Sequence, residues 1–323
     1  MIAGAALLAS GAPVVLAQDS GALQEPFYQQ IGHRHAPTYV AAYAGWAAWS
    51  EYSSTSKRYR LVLRRAGEGL VRPTVPSRSV PFDVDMGRGP GKKPTVVYSR
   101  CKREAAADQY LAGGPSLGRG CRIVALTAGS SHEQRLTGSL GAIGRPAIWD
   151  SRVAYVLSSG GRERVVSVTV HKTRTRRTLF SSPQGGDVVR LDLQGRRVLY
   201  NVDVPRQGHE LRTQVIGAHS RVLDRQLNTD STLSTVVGAS MSGAQAAWTP
   251  ISQSALLTLF DFSTGTKRPV VTASGIDDMA LDGDSLVLDL GPYGRKDIHT
   301  DSCYPPRGTG DGSCVAREQI APG

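Results

Sequence analysis

Apolar and polar positions along this chain fall into short alternating runs separated by tight, Gly-bearing turns. The pattern recurs. Residues 39–52 read YVAAYAGWAAWSEY, and 82–100 read FDVDMGRGPGKKPTVVYSR. AIWDSRVAYVLSS (147–159), VRLDLQGRRVLYNV (189–202), VGASMSGAQAAWTP (237–250) and MALDGDSLVLDL (279–290) follow. Each is an apolar run, a polar turn and a second apolar run. The second run usually carries a central aromatic: Trp49, Tyr98, Tyr155, Tyr200 and Trp248, with Leu288 in the sixth. These anchors stand 40 to 57 residues apart, and the widest gap holds Cys101 and Cys121. A third run follows each anchor at 58–65, 121–128, 164–171, 210–217, 255–262 and 313–320. A weaker fourth follows at 68–73, 133–138, 176–182, 220–226 and 267–273. Period-two alternation predicts strands, and long helical periodicity is absent.

The unit is therefore four short strands, repeated six times. Such a unit has two apolar faces and cannot stand alone, whereas units stacked around an axis bury those faces on each other. The pattern predicts an all-β, six-bladed β-propeller of four-stranded antiparallel blades. The blades are placed at 36–76, 77–139, 140–184, 185–229, 230–274 and 275–320, so the propeller spans 36–320. The last blade shows no fourth run. Residues 18–35 form an N-terminal arm or closing strand, and 22–32 are expected to supply the missing outer strand.

Residues 1–17, MIAGAALLASGAPVVLA, are uncharged, apolar and small, with Val15 and Ala17 placed for cleavage. They read as a signal peptide lacking a basic n-region, which predicts a secreted or extracytoplasmic protein. Gly4, Gly11 and Pro13 make the stretch a poor membrane span, and no later run is long enough to be one. Four cysteines allow three pairings; Cys101–Cys121 and Cys303–Cys314 each close a polar, Gly-rich loop. In an exported chain such a bridge stabilises by about 3 kcal/mol. Net charge is +11, with 38 Lys and Arg against 27 Asp and Glu, and the basic residues are overwhelmingly Arg.

Built from this unit, the chain resembles the TolB-like six-bladed propellers of exported bacterial proteins. Members often carry Ser-Pro-Asp-Gly in the inner turn. Here the turns read YAGW, WDSRV, LQGRR, MSGAQ and LDGDS, and only Asp282–Gly283 keeps the motif. The resemblance implies the fold and binding of proteins or ligands on one face. It implies no catalytic residue.

Motifs that would carry chemistry are incomplete. GRGPGKK (87–93) lacks the glycine that a phosphate loop needs at Met86, has Lys93 where Ser or Thr belongs, and precedes a strand. Around Ser240, GASMSG has Ser242 in place of the second glycine of a nucleophile elbow. Asp83 and Asp85, and the acidic run 277–284, hint at calcium, but the ligand series is incomplete and they read better as structural turn aspartates. His33 and His35 make only a pair. The densest basic run, HKTRTRR (171–177), places Lys172, Arg174, Arg176 and Arg177 in the third blade as a possible polyanion contact or a charged, protected outer edge. It lacks the aromatic interleaving of single-strand binders, so no specific nucleic acid is expected.

No cofactor is expected. The function expected is that of an exported, non-enzymatic, monomeric propeller binding a protein, peptide or anionic surface polymer through its loops. The alternative is a propeller hydrolase or lyase with a metal at the central channel. Three or more acidic or His side chains converging at the channel mouth would favour that alternative.

Overall fold

A computed structural model describes residues 28–34, 38–104, 117–139, 141–170, 172–226, 238–249, 256–271, 276–290 and 313–320. It is an all-β, six-bladed propeller with four antiparallel strands per blade. The first strand, β1 (Tyr28–Arg34), belongs to the last blade. Blade 1 is β2 (Ala41–Tyr43), β3 (Trp46–Ser53), β4 (Arg58–Arg65) and β5 (Leu70–Val71). Blade 2 is β6 (Asp85–Arg88), β7 (Pro94–Arg100), β8 (Arg122–Thr127) and β9 (Gln134–Arg135). Blade 3 is β10 (Ala142–Trp149), β11 (Arg152–Ser159), β12 (Arg162–Thr169) and β13 (Lys172–Ser181). Blade 4 is β14 (Asp187–Gln194), β15 (Arg197–Val204), β16 (Gly208–Val215) and β17 (Arg221–Gln226). Blade 5 is β18 (Ala239–Ser242), β19 (Gln245–Trp248), β20 (Leu256–Asp261) and β21 (Lys267–Val271). Blade 6 is β22 (Ile276–Asp282), β23 (Ser285–Leu290) and β24 (Ser313–Gln319), completed by β1. Tyr28 sits opposite Glu318 and Arg34 opposite Ser313, so the N-terminal strand closes the ring. It lies slightly C-terminal of the expected 22–32, and residues 22–27 fall outside the described residues.

The core lies between blades, in one apolar cluster per seam. Each anchor sits on a second strand and packs back onto the preceding blade. Trp49 meets Ala280, Val287 and Val315 of blade 6. Tyr98 packs with Leu61 and Leu63 of blade 1, and Tyr155 with Val97 and Ile123 of blade 2. Tyr200 packs with Ala154 and Val165 of blade 3, Trp248 with Leu199 and Leu211 of blade 4, and Leu288 with Leu257 and Leu259 of blade 5. All six anchors are buried. Burying such a side chain is worth about 1.5–3 kcal/mol, so the ring is held by its seams.

Antiparallel pairing sorts the connections onto two faces. First-to-second turns open on one, the turn face; second-to-third loops and the links between blades open on the other, the loop face. Turn-face connections are tight. In blade 1, Ala44 and Gly45 both take positive φ (52° and 81°), the conformation of a two-residue type I′ hairpin. The carboxylate of Asp282 accepts their N–H groups at 2.7 and 2.8 Å, joining the turns of blades 6 and 1. Ser242 Oγ accepts from Gly283 N at 2.8 Å, joining blades 5 and 6. The long intervals between strands, 72–84, 101–121, 227–238 and 291–312, all start and end at strand termini on the loop face. The Cys101–Cys121 disulfide closes one of them. Cys303 lies outside the described residues, as does any bond it makes; Cys314 lies in β24.

Candidate functional site

A propeller offers two kinds of concave site, the axial channel and the clefts between blades. The channel is lined by first strands. At the position opposite the residue preceding each anchor stand Ala41, Asp85, Ala147, Asp192, Ser240 and Ala280. Where this residue carries an oxygen, it accepts the N–H one residue further on in the next blade. Asp85 takes Ile148 N (3.0 Å), Asp192 takes Met241 N (2.5 Å), and Ser240 Oγ takes Leu281 N (3.1 Å). Ser240 also donates to Asp192 at 2.9 Å. First strands lie too far apart to pair directly, so these side chains satisfy N–H groups that would otherwise be buried and unbonded.

Two residues earlier stand Tyr39, Asp83, Arg145, Arg190, Gly238 and Asp278. Arg190 of blade 4 crosses the axis. Its Nη2 donates to Val40 O of blade 1 at 2.7 Å and lies 3.2 Å from Asp278 Oδ2 of blade 6. Its guanidinium faces the Tyr39 ring at 5.2 Å. Asp278 Oδ2 also accepts Val40 N at 2.8 Å. Arg145 donates to Val188 O at 2.5 Å, and Asp83 accepts from Arg78, Ser99 N and Arg145 N. A cavity of about 10 Å³ remains between Tyr39, Asp83, Arg145 and Arg190, the room of one water molecule.

Three carboxyl groups thus share one guanidinium in a buried space. Burial pushes Asp278 up to about 6, partly opposed by Arg190. Burial and then repulsion from Asp192 push Asp85 well up, and burial raises Asp192. The surrounding carboxylates hold Arg190 above its ordinary value against the desolvation that lowers it. The acidic convergence expected of a metal hydrolase is therefore present inside the channel, but its oxygens are engaged by backbone N–H groups and Arg190. Among the described residues no group of three His, Cys, Asp or Glu is arranged to hold a metal. Asp83, Asp85 and Asp278, read from the sequence as turn aspartates, line the channel; Asp282 and Asp284 do stand at the turn between β22 and β23.

The second site is open. On the loop face, blades 3 and 4 flank a cleft of about 580 Å³. Arg162 and Phe180 come from blade 3, Gln184 from the link, and Gln207, Glu210 and Arg225 from blade 4. Glu210, buried, holds two arginines in forked pairs. Its Oε2 accepts Arg212 Nε and Nη2 at 2.7 and 2.6 Å, and its Oε1 accepts Arg225 Nε and Nη2 at 2.8 and 2.5 Å. Burial raises Glu210, but the arginine bonds outweigh it and hold its pKa low, so it stays ionised. Arg212 also lies 5.4 Å from the Phe180 ring. The side chain of Arg225 is 54% exposed, and Arg162 is exposed with no acidic partner among the described residues.

The basic run of the sequence lies on β13, the outer strand of blade 3, which begins at Lys172 and ends in the cleft at Ser181. Arg176 and Arg177 are exposed. Lys172 and Arg174 are on the same strand, with their side chains outside the described residues. His33 lies on β1, and His35 is outside the described residues. Sequence reasoning missed the cleft arginines. One signal was available: Glu210 and Arg212 flank a single position within an alternating run, so both face the same seam.

No protein-family description matches this sequence, and no curated protein matches it. Solved structures do match in shape. TolB from Acinetobacter baumannii aligns with a TM-score of 0.50 at 13% identity, over 73% of this chain and 54% of that one. This chain thus spans about half the length of that TolB. The Aleuria aurantia lectin, described as a six-bladed propeller with a novel mode of fucose recognition, aligns with a TM-score of 0.50 at 8% identity, over 80% of this chain and 90% of that one. A chain of the nidogen/laminin complex aligns at 0.49 and 10% identity, over 78% and 84%. What is shared is the propeller fold. No helix among the described residues is long and apolar enough to cross a membrane.

Proposed function

We propose that this protein is an exported binding propeller that engages a protein, peptide or cell-surface polymer through its loop face. The observation that carries the reading is the division between its faces. Turn-face connections are short and hydrogen-bonded to each other between blades, while the long connections leave from and return to strand ends on the other side. Extra chain on one face of a rigid scaffold is where binding surfaces are built. The closed axis supports binding over axial metal chemistry, because a metal there would have to displace Arg190 and strip backbone N–H partners from Asp85 and Asp192. Export is supported by the apolar leader-like segment 1–17 and by the Cys101–Cys121 disulfide. A TolB-like propeller and a lectin among the structures of like shape are consistent with a binding role.

The test is a pair of charge-matched variants. Lys57→Gln with Arg119→Gln alters the loop face, and Lys92→Gln with Lys93→Gln alters the turn face; all four residues are exposed. Labelled protein should adhere to the surface of the cells that export it. The loop-face pair should weaken that adhesion, and the turn-face pair should leave it within about twofold. Equal loss from both pairs, or measurable turnover of lactone or glycan by metal-loaded protein, would defeat the proposal.

A further inference from the structure

The cleft between blades 3 and 4 carries three guanidinium groups and a single carboxylate. Two of the guanidinium groups are held by that carboxylate, which fixes their direction before any ligand arrives. Arg225 turns its Nε edge to Glu210 and its opposite edge to solvent; Arg212 spends its Nη1 on Ser220 Oγ at 2.9 Å. A rotamer-rich side chain fixed in advance loses less entropy on binding. Burying Glu210 costs desolvation, and a buried ion pair is by itself weak evidence of a stabilising role. Its distinct effect is to hold two cations at the wall of a solvent-filled space. Arg162, unpaired by any described acid, stands on the facing blade.

The remaining lining is mixed. Gln184 and Gln207 offer carboxamides, each able to donate and accept, and Phe180, Pro183 and Pro205 give flat apolar surface. Carboxamides beside flat apolar surface suit a hydroxyl-bearing ring, and planar guanidinium forks suit an oxyanion on it. A peptide side chain would instead want a deeper apolar pocket.

The same seam continues as a basic track. Phe180 pairs with Val165 and Arg177 with Ser167, and a bulge between them keeps both on the side of blade 4. At the turn-face end of the seam, the guanidinium groups of Arg177 and Arg196 meet over Gly217. Cations therefore stand in the cleft and again at the turn-face end of the same seam, an arrangement that fits repeated charge along a chain.

We propose that the groove between blades 3 and 4 binds an anionic polysaccharide, seating one acidic sugar in the cleft between Arg162 and Arg225, with the chain running toward Arg177. The proposal rests on the binding reading above and names its ligand class. The probe is polygalacturonate, with dextran sulfate, neutral dextran and poly-L-glutamate as parallel arms, measured by affinity electrophoresis of the full chain. Polygalacturonate or dextran sulfate should retard the protein, less so as salt rises, and the stronger of the two identifies the carboxylate or sulfate source. Arg162→Gln with Arg225→Gln should weaken retardation by about tenfold or more, against about twofold for Lys92→Gln with Lys93→Gln, which removes equal charge from the other face. Arg162→Gln alone, at an exposed position, checks that any loss is not one of folding and should give a smaller loss in the same direction.

Equal losses from the two double variants would overturn the proposal, as would no retardation by either anionic polysaccharide. Stronger binding to poly-L-glutamate would assign an acidic peptide instead and overturn it too. If cell-surface adhesion responds to Lys57 and Arg119 while the cleft variants leave it intact, the binding propeller stands and the groove assignment falls. If no surface variant changes adhesion, both fall.

Discussion

Arg190 at the axis and Arg225 at the seam of blades 3 and 4 are the same chemical group in opposite circumstances. The Arg190 side chain is 10% exposed, and that of Arg225 is 54% exposed. At the axis three carboxyls surround one guanidinium, and their remaining capacity goes to N–H groups of neighbouring blades. At the seam one carboxylate serves two guanidinium groups, and a third has no acidic partner among the described residues. The axis has an excess of acid and no access; the cleft has an excess of base and open solvent. Charge sealed at the axis is engaged by the neighbouring blades, whereas charge at an open wall is available for recognition.

The contrast between axis and seam depends most directly on Arg190. Arg190→Met leaves Asp278, Asp85 and Asp192 facing one another without a cation, and should cost about 3–5 kcal/mol in urea unfolding. Unchanged stability would show that the axial charges are not structural. The next effect is one of pH. Asp278 titrates near 6 when folded, above its ordinary value, so the folded state holds the proton more tightly than the unfolded chain does. Its contribution is therefore greatest in acid and is lost as pH rises from about 4 to about 6, by about 3 kcal/mol. Asp85 and Asp192 shift the same way. Asp278→Asn should flatten the fall of the thermal midpoint over that window; an unchanged slope would place the titration elsewhere. Smaller again is Ser240→Ala, which removes the acceptor of Leu281 N and a donor to Asp192. It should cost about 1–3 kcal/mol, read from the denaturant midpoint. Smallest is Arg162→Gln in the cleft, expected to stay within about 0.5 kcal/mol of the parent in stability while weakening polyanion retention. A large stability loss there would erase the contrast between the two sites.

Much of the fold was legible because it is written locally. The alternating runs mark 58–65 and 313–320 as third strands, the turns mark the hairpins, and the aromatic anchors mark the seams. Even the closing strand could be inferred, because the last blade lacked a fourth run and an unassigned stretch stood at the other end. The site was legible only in part. Asp85 and Asp278 looked like turn or calcium aspartates, because a side chain that accepts an N–H 63 residues away looks no different in sequence from one facing water. Arg190 reaches a carbonyl 150 residues away. Arg162, Arg212 and Arg225 were hidden among many arginines, and the basic run 171–177 marked only the outer strand that leads into the cleft.

The chain on its own determined strand, turn, repeat and blade, since each depends on neighbours within one unit and on the need to cover two apolar faces. Only the closed ring decided which charges would be sealed and which left wet. That outcome depends on how far each side chain lies from the axis and on what the adjoining blade presents to it, and neither quantity exists until the blades have met.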